Sequence, residues 1–112
     1  MTRIPILAVT ALAAMLVLAV PALAATPTYK GTVGPGFTIK MATKPTKAGK
    51  IKLVVSDKSD QHNFHLSGPG VNVKTSVGQT GTKTFTVTLK KGTYKFVCDP
   101  HASFMKGSFK VK

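Results

Sequence analysis

Tyr94–Lys112 reads "YKFVCDPHASFMKGSFKVK". Its first part alternates, with Tyr94, Phe96 and Cys98 on one parity and Lys95 and Val97 on the other. Its last part alternates again, with Phe109 and Val111 against Ser108, Lys110 and Lys112. A period of two, apolar on one side and polar on the other, marks a strand with one buried face. Between the two halves lies "CDPHASFM", Cys98 to Met105, a loop rich in side chains that bind metal.

The same periodicity runs upstream. Phe37, Ile39 and Met41 share a parity in "FTIKM", and Ile51, Leu53 and Val55 do so in "IKLVV". His62, Phe64 and Leu66 fall together in "HNFHL", as do Phe85, Val87 and Leu89 in "TFTVTL". Turn chemistry separates these runs: "GPG" at Gly34–Gly36, "TKPTKAG", "SDKSD", "SGPG" at Ser67–Gly70, "GQTG" and "KKGT". "ATPTYK", Ala25 to Lys30, reads as a short lead into the first of them. After Ala24 no segment holds a helical pattern for three turns. The expectation is an all-β Greek-key sandwich of about seven or eight mostly antiparallel strands.

The chain opens with "MTRIPILAVTALAAMLVLAVPALAAT": one charge at Arg3, an apolar run from Ile4 to Val20, then Pro21 and small residues. That is the layout of a secretory signal, and Ala22-x-Ala24 suits cleavage after Ala24. Residues 1–24 are therefore expected to be a signal peptide, and residues 25–112 a single folded domain. Export implies a periplasmic or extracellular protein, with no stable membrane insertion once the signal is cut. An uncleaved anchor is the alternative, since the run nearly reaches the ~20 residues of a spanning helix.

The domain carries fifteen lysines against Asp57, Asp60 and Asp99, a formal charge of +12 (15 minus 3). It has no arginine, and so lacks the planar fork that reads bases best; nucleic acid is not an expected partner. The lysines read as a solvated face, or as steering toward an acidic redox protein. The domain is expected to be a monomer.

Cys98 is the only cysteine, so no internal disulfide can form. That leaves an intermolecular bridge, a bare thiol or a metal ligand. Its neighbours favour the last. Thiolate, imidazole and thioether are soft ligands suited to copper, whereas structural zinc calls for four Cys or His ligands. Cys98 ends a strand, two residues of turn bring His101 round, and three more bring Met105 back before the next strand. A fourth ligand must come from elsewhere, and "HNFH" offers His62 or His65. His62 shares the inward parity of Phe64 and Leu66; His65 should point outward or into a loop.

Together, "HNFH" and "CDPHASFM" resemble the cupredoxins, the small blue type 1 copper proteins, and within them the plastocyanin, amicyanin and pseudoazurin group. The resemblance spans essentially all of residues 25–112. It implies His62, Cys98 and His101 as equatorial copper ligands and Met105 as the weak axial one. It also implies that Asn63 ties the two ligand loops together. The Asn63 backbone N–H is a candidate donor to the Cys98 sulfur, whereas Pro100 has no N–H to give. By the same resemblance His101 reaches the surface through an apolar patch to which Phe104, Pro35 and Pro69 would contribute, and serves as the electron-transfer surface. Asp99 reads as a solvated turn residue.

The function implied is one-electron transport by a single copper ion cycling between Cu(II) and Cu(I). A copper-delivery or metal-uptake module is the alternative. An enzyme is not expected, because copper oxidases and nitrite reductases need further copper sites and only His65 is left over.

Overall fold

The computed structural model describes residues 25–112 continuously, together with residues 2, 3, 5 and 10–16. The expected cleavage point after Ala24 lies outside the described residues. No helix among them is long and apolar enough to cross a membrane.

Eight strands form two four-stranded sheets: β1 (Thr28–Val33), β2 (Ile39–Met41), β3 (Gly49–Asp57), β4 (His65–Gly68), β5 (Val71–Lys74), β6 (Gly81–Leu89), β7 (Gly92–Val97) and β8 (Lys106–Val111). One sheet runs β2-β1-β3-β6 and the other β5-β4-β7-β8. The chain changes sheet after β3, β5 and β6, which gives the Greek-key path. All pairings are antiparallel except β1 with β3, which are parallel.

The alternation noted in the sequence sets the inward faces. Ile51, Leu53 and Val55 of β3 meet Leu66 of β4, Tyr94 and Phe96 of β7, and Phe109 and Val111 of β8, all buried. Two stacked pairs run through this core, Phe64 on Phe96 with centroids 5.5 Å apart and Tyr94 on Phe109 at 5.3 Å. Each adds about 0.5–1.5 kcal/mol to the burial itself. The Tyr94 hydroxyl donates to the Pro69 carbonyl and accepts from the Lys90 N–H, both at 2.8 Å, so its polar end is satisfied.

Four local expectations change. The lead is a strand from Thr28 onward, and an inner one: β1 lies between β2 and β3. Its inward positions are Tyr29, Gly31 and Val33, and a glycine among them hides the alternation. β5 also escaped the pattern, being only four residues long. In "HNFHL" the strand starts at His65, so His62 to Phe64 belong to the preceding loop. His62, Phe64 and Leu66 are buried as their parity requires, but Asn63 is buried with them. Finally, Phe37 precedes β2 and stands 63 % exposed, although it shares the parity of Ile39 and Met41.

Candidate metal centre

Two loops at one end of the sandwich build the site. Cys98 follows directly on β7 in extended conformation (φ −91°, ψ 117°), and a short 3-10 helix spans Asp99–His101 with Pro100 in its first turn. Proline's fixed φ suits a helix start, and its missing N–H costs nothing there. The His101 N–H donates to the Cys98 carbonyl at 3.0 Å. The Phe104 and Met105 N–H groups then donate to the His101 carbonyl, at 3.2 and 2.9 Å. The Cys98 N–H closes the loop on the Met105 carbonyl at 3.0 Å. The loop therefore folds back on itself, which returns buried Met105 to the foot of Cys98 before β8 leaves.

The other loop, between β3 and β4, supplies His62. The Nδ1 atoms of His62 and His101 stand 3.2 Å apart, and the Cys98 Sγ lies 3.7 Å from the first and 3.6 Å from the second. An ion at the centre of that triangle would sit about 2 Å from each donor, the length of a metal–imidazole bond. His62 and Cys98 are buried and His101 is half-buried, so one edge of the triangle reaches toward solvent. Two imidazoles and a thiol converging in a buried pocket fit a soft transition metal, and His62, Cys98, His101 and Met105 are arranged as in a type 1 copper site.

Asn63 joins the two loops. Its Oδ1 accepts from the Asp99 backbone N–H at 2.7 Å, and its Nδ2 donates to the Asp99 carboxylate at 2.8 Å and to the Thr75 carbonyl at 3.3 Å. Buried Thr75 braces the next residue, its Oγ1 accepting from the Phe64 N–H at 2.9 Å.

Asp99 is thus more than a solvated turn residue. Its other oxygen meets His65 Nδ1 at 2.9 Å, while His65 Nε2 meets Asn72 Oδ1 at 2.6 Å. Each ring nitrogen thus faces an oxygen, an arrangement that favours the protonated ring. Desolvation of the ring opposes that charge, but the hydrogen bonds to Asp99 and Asn72 outweigh it and raise the His65 pKa above its ordinary 6.5. Desolvation likewise acts to raise Asp99, but hydrogen bonds from Asn63 and His65 outweigh it and lower its pKa below 3.8. The structure places His65 outside the cluster of His62, Cys98 and His101, as a strut on the outer face of β4.

The apolar surface at His101 has a member that the alternation concealed. Phe37 lies edge-on to both histidines, with centroids 5.4 Å from His62 and 5.1 Å from His101. Phe104, 59 % exposed, packs at 5.5 Å from His101 and 5.9 Å from Phe37. Pro35 stands exposed in the same Gly34–Gly36 turn, where a Cβ on Gly34 would come within 3.4 Å of the His62 ring. Pro69 is elsewhere: the β4–β5 turn is at the opposite end of the sandwich, under Tyr94. The signal for Phe37 was its position directly after the Gly34–Gly36 turn, too early to be held by the sheet.

Comparison with known proteins agrees with this geometry. No curated protein sequence matches the chain. Among solved structures, reduced rusticyanin superposes with a TM-score of 0.61 at 24 % identity, over 81 % of this chain and 82 % of that one. Reduced auracyanin from Roseiflexus castenholzii gives 0.55 at 21 % identity, over 80 % and 99 %. An oxidised amicyanin variant gives 0.51 at 16 % identity, over 82 % and 87 %. At these identities the likeness establishes the fold. The family model for copper binding proteins of the plastocyanin/azurin family matches residues 37–112, a stretch that includes both ligand loops, and the chain therefore belongs to that family, the cupredoxins.

Proposed function

We infer that this protein is an exported electron carrier, holding one type 1 copper ion with His62, Cys98 and His101 and, more weakly, Met105. The observation that carries the reading is the triangle of Nδ1, Nδ1 and Sγ, with sides of 3.2 to 3.7 Å. Copper in such a set supplies one-electron chemistry, because a trigonal His-His-Cys geometry lies between the preferences of its two oxidation states. The chain's contribution is restraint. Cys98, His101 and Met105 sit on one loop closed by its own backbone bonds, and Asn63 couples that loop to His62. Little can move as charge changes, which keeps transfer fast.

Half-buried His101 is the proposed electron-transfer surface, with Phe104 and Phe37 excluding water around it. An acidic redox partner would be attracted at long range by the +12 charge of residues 25–112. The contact itself would be apolar. The role is that of a carrier rather than an enzyme.

The test is a visible and EPR spectrum after addition of Cu(II), with Cys98→Ala as control. An intense thiolate charge-transfer band, lost in the control and bleached reversibly by reductant, is expected. A colourless protein would overturn the reading. Preferential capture of Cu(I) and its transfer to an apo-enzyme, without rapid self-exchange, would instead assign copper delivery.

A further inference from the structure

Charge is divided between the two ends of the sandwich. The metal-end loops are Gly34–Thr38, Lys58–Phe64, Thr75–Thr80 and Cys98–Met105, and their charged residues, histidines aside, are Lys58, Asp60 and Asp99; Lys74 and Lys106 stand in the end rungs there, opposite His65 and Val97, so three lysines meet the three aspartates. The third aspartate, Asp57, closes β3 at the same end. The opposite end has no aspartate or glutamate side chain. Lys90 and Lys91 form its β6–β7 turn, Lys47 lies in the β2–β3 loop, and Lys112 donates its N–H to the Thr46 carbonyl beside it. Lys50 and Lys110 stand in the last rungs there, opposite Thr88 and Thr93. All six lysines are exposed, and among the described residues none forms an ion pair. Lys91, Lys110 and Lys112 line a shallow groove with Gly92, Thr93 and Val111. From Lys50 to Asp57 along β3 is about 23 Å, so the lysines lie far from the metal.

The lysine end lies far from the contact at His101, so long-range attraction of an acidic partner by the net charge does not by itself account for it. A second observation says what the lysine end faces. β1 runs toward the metal end, so the chain enters the domain at the lysine end, where the Pro27 carbonyl accepts from the Lys52 N–H at 2.9 Å. Just upstream in the sequence lies the apolar stretch Ile4–Val20, of whose described residues Leu12, Met15 and Leu16 are 95, 90 and 84 % exposed. A lysine cluster at the end where the chain enters, downstream in sequence of exposed Leu12, Met15 and Leu16, fits an anionic bilayer.

We propose that the lysine end is a docking surface for an anionic lipid bilayer, formed by Lys47, Lys50, Lys90, Lys91, Lys110 and Lys112. Headgroup phosphates would take the groove at Lys91, Lys110 and Lys112. The metal end then faces away from the membrane, free to meet a soluble partner. The surface works whether the apolar stretch is retained as an anchor or removed, because the six lysines belong to the folded domain.

The experiment is co-sedimentation of the full chain with two kinds of vesicle: phosphatidylcholine alone, and equal parts phosphatidylcholine and phosphatidylglycerol. Excess binding to the anionic vesicles that collapses in high salt is expected. Each lysine lost should weaken it about fivefold, so the variant with all six changed Lys→Gln should lose about 10,000-fold, which abolishes the excess. A control removes the same charge away from the lysine end: Lys30, Lys40, Lys58, Lys74, Lys83 and Lys95→Gln. It should keep most of the excess, with circular dichroism showing both variants folded. Equal binding to both vesicle types, or equal loss in both variants, overturns the proposal. So does a preference for soluble polyglutamate over the anionic vesicles, which would assign the lysine end to an acidic protein.

Discussion

Asn63 and Asp99 clasp one another across the two ligand loops, the Asp99 N–H on Asn63 Oδ1 at 2.7 Å and Asn63 Nδ2 on the Asp99 carboxylate at 2.8 Å. The neighbours of this pair are His62 and Cys98, so the clasp sets the distance between two of the three converging donors. Asn63→Ala removes both bonds from a buried position. The expected cost is about 1–3 kcal/mol in denaturant unfolding. Copper affinity should fall about 10- to 100-fold in competition with a chelator, as for other groups that orient metal ligands. Unchanged affinity with reduced stability would confine Asn63 to a structural role.

The His65–Asp99 pair gives a stability window with two edges. His65 has its pKa raised on folding, so its contribution is complete below the unfolded value of 6.5 and is lost as pH rises through the folded one. Asp99 has its pKa lowered, so its contribution is present above 3.8 and is lost as pH falls through the folded value. The pair is therefore worth most in mildly acidic solution. Both side chains are partly exposed, at 22 and 42 %, which limits the effect to about 1 kcal/mol. His65→Ala should lower unfolding stability more at about pH 5.5 than at about pH 9. An equal loss at both would rule out the ion pair as the cause.

Gly107 faces Phe96 across the β7–β8 ladder, and a Cβ there would overlap the Phe96 ring. That ring is also stacked on Phe64 and has no room to yield. Gly107→Ala should cost about 1–3 kcal/mol through overpacking. Gly36 has open space around a Cβ and no positive φ, so Gly36→Ala should be neutral or slightly stabilising. Unfolding midpoints of the two variants check the contrast.

Phe37 covers the histidines from outside. Phe37→Ala should admit water to the site with little loss of stability, since the ring is 63 % exposed. Added water favours the more highly charged Cu(II), so the midpoint potential of the copper protein should fall by tens of millivolts. About 59 mV is a tenfold change in a one-electron equilibrium. A rise in potential would contradict the shielding role.

Pro100 follows Asp99 in the 3-10 turn and has no N–H. Pro100→Ala could offer the Cys98 thiolate a further donor, which favours the reduced state and raises the potential. An unchanged or lower potential, read by redox titration, would show that no such bond forms.

The inward faces were legible along the chain alone, because burial on a strand is a period-two property that needs no partner to be read. Ile51, Leu53, Val55, Leu66, Phe96 and Val111 could all be assigned in this way, and all are buried. The loop from Cys98 to Met105 was legible for a related reason: eight consecutive residues hold three soft donors, and a loop so short must fold back on itself. What depends on contacts between distant segments emerged only on folding. Thr28–Val33 became an inner strand only because β2 and β3 flank it. Phe37 left the core because the chain there had not yet entered β2. Asp99 became a strut because Asn63 and His65, more than thirty residues earlier, are brought against it. The separation of lysines from acids is likewise invisible in a list of scattered charges. It emerges once strand direction assigns each loop to an end.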